Sequence, residues 1–99
     1  MDMGMMSSAE LMDELGARVR HERLRRNLTQ QTLAERAGVS RLTVTRMESG
    51  APVTLPSFLS VLVALRRAGD LNDVLKPPEA LTLEQFVGEA QPTRRRGRQ

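Results

Sequence analysis

A chain of 99 residues is long enough for one domain with a modest core, and with Phe58 and Phe86 as its only aromatics that core has to be aliphatic. The lack of cysteine excludes disulfides and thiolate metal sites and fits a reducing cytoplasm, and no run of about eighteen apolar residues is present to cross a membrane. Net charge is only +3, but eight arginines between Arg18 and Arg46 face only Glu22 and Glu35, five acids between Asp70 and Glu89 face only Lys76, and Arg94, Arg95, Arg96 and Arg98 close the chain.

A basic first half suits a polyanionic partner; a solvated charged surface looks the same. Residues 1–7 carry four methionines and no basic start, so they lack the shape of a secretory signal. They show no periodicity and are expected to be disordered. Ser8 is placed to cap a helix running to Arg26, with Leu11, Leu15 and Val19 on one stripe. Met12 flanks that stripe as a core methionine, and Leu24 packs near its end. Asn27 stands where the chain must leave the helix, a position that tolerates the left-handed conformation.

The stretch Leu28–Gly50, LTQQTLAERAGVSRLTVTRMESG, reads as two short helices joined by a tight turn. Thr29 can cap the first, whose inner stripe is Leu33, Ala34 and Ala37. Gly38 follows where positive φ is needed, and Val39 fills the corner. Ser40 caps the second helix, Val44 and Met47 face inward, and Gly50 stops it. At about 100° per residue, Arg41, Leu42, Thr45 and Arg46 fall on the opposite side, with Thr43 on a flank. Arginine can fork onto guanine O6 and N7, and an apolar group can touch the thymine methyl, so this face suits a duplex major groove. A solvated basic face with one stray leucine is the plainer alternative. The helix–glycine–helix context favours DNA.

The residues Thr29, Gln30, Leu33, Ala34, Ala37, Gly38, Val39, Ser40, Val44, Glu48 and Gly50 together resemble the helix-turn-helix of the phage-repressor, or Xre-type, family. The resemblance covers about Leu11 to Leu75. It implies an all-α fold, a five-helix repressor-like domain over residues 8–76. The ends lie outside the resemblance: a short amphipathic helical extension at 77–91 and a basic, disordered tail at 92–99 are expected from the residues themselves. The resemblance also implies a dimeric double-stranded DNA-binding repressor whose recognition helix, at 40–49, enters the major groove and reads half-sites about 34 Å apart. On the matching positions, Arg41, Leu42, Thr45 and Arg46 would read bases, and Thr29, Gln30, Ser40 and Thr43 would hold phosphates. Arg23 would pair with Glu48, locking the first helix to the third; direct DNA contact by Arg23 is the other possibility. Relatives often carry amide side chains where Arg41 and Leu42 stand, so the target sequence does not carry over.

After the loop Ala51–Val53, Thr54 caps a fourth helix and Pro56 sits in its first turn at no cost in hydrogen bonds. Leu55, Phe58, Leu59, Leu62 and Leu65 form its expected inner stripe. Val61, Val63, Ala64 and Ala68 spread apolar surface well beyond it, so either a fifth helix or a second copy covers the excess. Gly69 is expected to end helix 4 and Asp70 to cap helix 5, with Leu71, Val74 and Leu75 inward. Pro77-Pro78 marks a boundary. Beyond it Leu81, Leu83, Phe86 and Val87 make a short amphipathic segment with Thr82 as a candidate cap, too short to stand alone. It would dock on its own domain, on a second copy or on another protein. This extension loosely resembles that of HipB-like antitoxins, which implies a second reading: capture of a HipA-like kinase toxin with autorepression. His21 has no His or Cys partner, and no phosphate loop or hydrolase motif appears. Neither enzyme activity, cofactor nor metal is therefore expected. A basic helical adaptor without sequence preference is the third possibility.

Overall fold

The computed structural model describes residues 2–78, and those residues are all helical apart from turns and loops. Four α-helices form: α1 Ser8–Arg25, α2 Gln30–Ala37, α3 Arg41–Glu48 and α4 Leu55–Ala64. A 3-10 helix, Ala68–Asp73, follows them. The all-α helix-turn-helix architecture implied by the sequence is what is found. Where the first residues show no pattern, Met3–Met5 nonetheless make one 3-10 turn closed by the Asp2 carboxylate.

Each α-helix begins on a hydroxyl. Ser7, not Ser8, caps α1: its hydroxyl accepts from the Glu10 N–H while the Glu10 carboxylate accepts from the Ser7 N–H. That reciprocal pair satisfies two otherwise orphan donors and outcompetes a cap one residue later. Thr29, Ser40 and Thr54 cap α2, α3 and α4 as their sequence positions indicate. Asn27 takes φ +57° and closes α1 into the next loop.

The core consists of Val19, Leu33, Ala34, Val44, Met47, Val61 and Leu65, with Leu28, Ala37, Val39, Val53, Phe58 and Ala64 packed around it. It holds α2 and α3 at a fixed angle because both helices also pack on neighbours, α3 on α1 and α2 on α4. Gly16 makes the first of those contacts possible. A Cβ there would run into the Met47 carbonyl and lie 3.2 Å from the Glu48 carbonyl, so α1 and the end of α3 meet backbone to backbone.

Several expectations are corrected. Leu24 lies at the surface, because α1 meets its neighbours along Leu15, Gly16 and Val19 and turns it away from them. Met12 is on the same side as Leu15 and Gly16 but stays outside the core, 36% exposed, at the edge of an apolar pocket it shares with Met47 and Phe58. Of the stripe expected on α4, Leu65 at its cap is fully buried and Phe58 packs against the core, but Leu55, Leu59 and Leu62 are not in the core and Val61, placed outside the stripe, is, since α2 is the neighbour that selects the buried side. The displaced row instead lines an apolar groove of about 530 Å³ between α1, α4 and the 3-10 helix, shared with Leu15, Leu71 and Val74. The helix ends at Ala64, not at Gly69. Leu65 caps it and Arg66 takes φ +59°, with the Arg67 N–H donating back to the Leu62 carbonyl. That turn carries Arg67 to Glu22, where its guanidinium donates at 3.0 Å. The fifth helix is accordingly a 3-10 helix without a side-chain cap: Asp70 pairs with Arg67 at 2.9 Å instead. Leu71 is half-buried, but Val74 is mostly exposed and Leu75, at φ +53°, is 97% exposed. The extension expected at 77–91, beyond its first two residues, and the tail expected at 92–99 lie outside the described residues.

Candidate nucleic-acid interface

The recognition segment is positioned by its caps and by one glycine. Gly38 adopts φ +70°, the left-handed conformation that lets the chain turn sharply from α2 into α3. The Val39 N–H closes the turn on the Ala34 carbonyl. Ser40 then starts α3 by accepting from the Thr43 N–H at 3.0 Å, and its hydroxyl also meets the Thr43 hydroxyl at 2.9 Å. With Val44 and Met47 buried, the rotation of α3 about its axis is set, and its opposite side faces solvent.

That outer side carries Arg41, Leu42, Thr45 and Arg46, all exposed. Leu42 is 67% exposed although no packing requirement puts a leucine there. Among the described residues Arg41 makes no hydrogen bond or ion pair. Arg46 donates one N–H to the Pro52 carbonyl at 3.0 Å, which ties the α3–α4 loop to the helix and leaves its other donors for another acceptor. Thr45 donates to the Gln30 side-chain carbonyl at 3.0 Å. The structure thus brings the four residues expected to read bases onto one open face.

Beneath that face lies the Arg23–Glu48 pair. Arg23 donates from Nε at 2.7 Å and from Nη2 at 2.9 Å to the two Glu48 oxygens, and from Nη1 at 2.8 Å to the Leu28 carbonyl. The two side chains are only 8% and 4% exposed. The forked geometry satisfies both oxygens, which is what a buried ion pair requires to offset desolvation. The Glu48 hydrogen bonds raise the Arg23 pKa above its ordinary value against the opposing effect of burial. With three donors engaged inside the protein, Arg23 serves as a brace from α1 to α3 and to the loop entering α2.

The residues expected at phosphates divide. The Thr29 hydroxyl accepts from the Thr32 N–H and donates to the Thr32 hydroxyl, both at 3.0 Å, so its proton is used internally. Ser40 and Thr43 likewise share their hydroxyls at the start of α3. Apart from those of Thr32 and Thr43, which the caps take, the first-turn N–H groups of α2 and α3 remain, and such groups point outward with no acceptor inside their own helix. Gln30 has a second role that its sequence position does not reveal. Its Nε2 donates to Glu48 at 3.2 Å while its Oε1 accepts from Thr45, so it links the buried pair to the exposed face.

Glu22 also escapes a reading of the sequence, where it only offsets neighbouring arginines. Its buried carboxylate accepts from Arg25, Arg26 and Arg67. The hydrogen bonds from Arg25 and then Arg26, against opposing burial, lower its pKa from 4.5 to about 2. The i+3 and i+4 spacing to Arg25 and Arg26 is visible in the sequence, but Arg67 arrives only through the fold.

Two helices in this relation, the second with one face buried and the other open, define a helix-turn-helix domain. The chain matches the family of that description over residues 14–75, and it belongs to that family. The domain is the arrangement used by DNA-binding regulators. No match is found among curated proteins. Among the described residues, no helix is long and apolar enough to cross a membrane and no cluster of side chains suits a metal ion.

Proposed function

We propose that this protein is a sequence-specific regulator of transcription, an Xre-type repressor by the resemblance of its motif, that binds duplex DNA with α3 in the major groove. The observation that carries this reading is the open face of Arg41, Leu42, Thr45 and Arg46 on a helix whose other face is locked into the core. Arg41 is free to fork onto guanine, and Leu42 offers an apolar contact to a thymine methyl. The first-turn N–H groups of α2 and α3 that the Thr29 and Ser40 hydroxyls leave free suit flanking phosphates, and Thr29, Ser40 and Thr43 serve there by fixing the helix starts, with Gln30 beside them. Arg23 and Glu48 hold the geometry from behind. Two copies on a palindrome would present two such helices about 34 Å apart. The apolar residues that α4 leaves exposed, Leu55 and Val63, support pairing of copies. A cytoplasmic regulator needs no cofactor and no catalytic group for this work. The toxin-binding alternative rests on residues after Pro78, outside the described region, and no observation favours it.

The test is selection of bound duplexes from a random pool, followed by titration of variants. A palindromic consensus is expected. Arg41→Ala and Arg46→Ala should each weaken the selected site by about 1–3 kcal/mol and relax preference at one base pair. Equal losses on selected and random duplexes would instead make both residues phosphate clamps and defeat the assignment of base reading.

A further inference from the structure

We infer that Gln30 sets the polarity of the Thr45 hydroxyl, so that Thr45 meets DNA as a hydrogen-bond acceptor and selects a base amine over a base keto oxygen. The inference rests on the reading of α3 as the helix that enters the groove. Its force comes from a relay in which the direction of every hydrogen bond is dictated by the one before.

Arg23 offers only donors, and two of them engage the two oxygens of Glu48. The carboxylate offers only acceptors. Whatever lies 3.2 Å from Glu48 Oε1 must therefore be the amide nitrogen of Gln30, since the reverse orientation would set a carbonyl dipole against a carboxylate. That choice turns the Gln30 carbonyl toward Thr45. A carbonyl oxygen accepts only, so at 3.0 Å the Thr45 hydroxyl must donate. A hydroxyl has one proton. Once it points to Gln30, Thr45 presents lone pairs alone to the solvent side of α3, where it is exposed.

The major groove makes this a chemical choice. Guanine N7 and O6, adenine N7 and thymine O4 are acceptors, and only adenine N6 and cytosine N4 carry donors. A Thr45 restricted to accepting can hydrogen-bond an exocyclic amine and is mismatched with a keto oxygen. Three helices contribute, from a buried arginine on α1 through Glu48 on α3 and Gln30 on α2 to the surface. Gln30 is thus a positioning residue: it need not touch DNA to influence which base Thr45 accepts.

The experiment is a thermodynamic cycle on the duplex selected by the wild-type protein. Single exocyclic amines are deleted across the half-site, with purine replacing adenine or 2-pyrimidinone replacing cytosine. Single keto oxygens are deleted with 2-aminopurine replacing guanine or 5-methyl-2-pyrimidinone replacing thymine. Affinity is measured for wild type and for Thr45→Val, a nearly isosteric change at an exposed position that leaves the fold intact. The lost base pairing is common to both proteins and cancels in the cycle. One amine deletion should weaken wild-type binding by roughly two- to tenfold, the scale of one neutral hydrogen bond, beyond its effect on Thr45→Val. In Gln30→Leu, checked by thermal melting, coupling to that amine should fall. Coupling of Thr45 to a keto oxygen, coupling to no amine, or full coupling retained in folded Gln30→Leu would overturn the inference while leaving DNA reading by α3 in place. Failure to enrich any sequence would overturn the functional reading, and the relay with it.

Discussion

Glu48 and Glu22 are both carboxylates buried against arginines, yet they sit in regions built differently. Glu48 lies where the end of α3 crosses α1, and its partner Arg23 is only 8% exposed. Gly16 brings the two backbones into contact at the same place. Glu22 lies at the other side of α1, and its partners Arg25, Arg26 and Arg67 are 59%, 30% and 44% exposed. Water screens the second cluster and hardly reaches the first. The first region therefore holds a geometry, that of the recognition helix. The second fastens the segment after α4 loosely, through a single carboxylate.

The sharpest way to break the contrast is to remove one member of the buried pair. Arg23→Ala or Glu48→Ala should cost about 3–5 kcal/mol in chemical denaturation, because each leaves an uncompensated buried charge. A loss below about 1 kcal/mol would show that water reaches this junction as freely as it reaches Glu22. Gly16→Ala comes next. Alanine normally stabilises a helix interior relative to glycine, by roughly 0.5–1 kcal/mol. Here its Cβ would strike the Met47 carbonyl, so a net destabilisation of about 1–3 kcal/mol is expected. A stabilised Gly16→Ala protein would mean that α1 and α3 have room to separate.

The smallest effect belongs to Glu22. Glu22→Gln should cost about 1 kcal/mol at neutral pH, in keeping with partly exposed partners. Because the folded-state pKa lies below the ordinary 4.5, the stabilisation is complete above about 4.5 and disappears as pH falls toward about 2. Melting temperature should therefore fall through that window more steeply in wild type than in Glu22→Gln. Parallel curves would show that Glu22 contributes nothing specific to acid lability.

The segments that were legible in the sequence are those governed by local rules. Caps at Thr29, Ser40 and Thr54, the left-handed Gly38, the stripe Leu33–Ala34 and the inward Val44 and Met47 each follow from neighbours within four or five residues. The Arg23–Glu48 pair spans 25 residues and was legible only through resemblance to a family motif. Misreadings concentrate where local signals compete with packing. Gly69 is a better helix stop than Arg66, yet Arg66 takes the left-handed turn that brings Arg67 onto Glu22. The stripe expected on α4 holds Leu55, Leu59 and Leu62 together with Leu65, and periodicity alone cannot say that Leu65 and the off-stripe Val61 are the ones that enter the core.

By itself, then, the sequence determined that this is a small, cysteine-free, all-helical domain with a helix-turn-helix at Leu28–Gly50 and a polar, arginine-bearing outer face. Hydrogen bonding and apolar periodicity within a few residues suffice for that. Tertiary structure alone decided which side of α4 is buried, that Gly16 admits the end of α3, and that Gln30 stands between Glu48 and Thr45. Those outcomes depend on the angle and distance at which separate helices meet. Packing of the whole core sets both, and no short stretch of sequence encodes them.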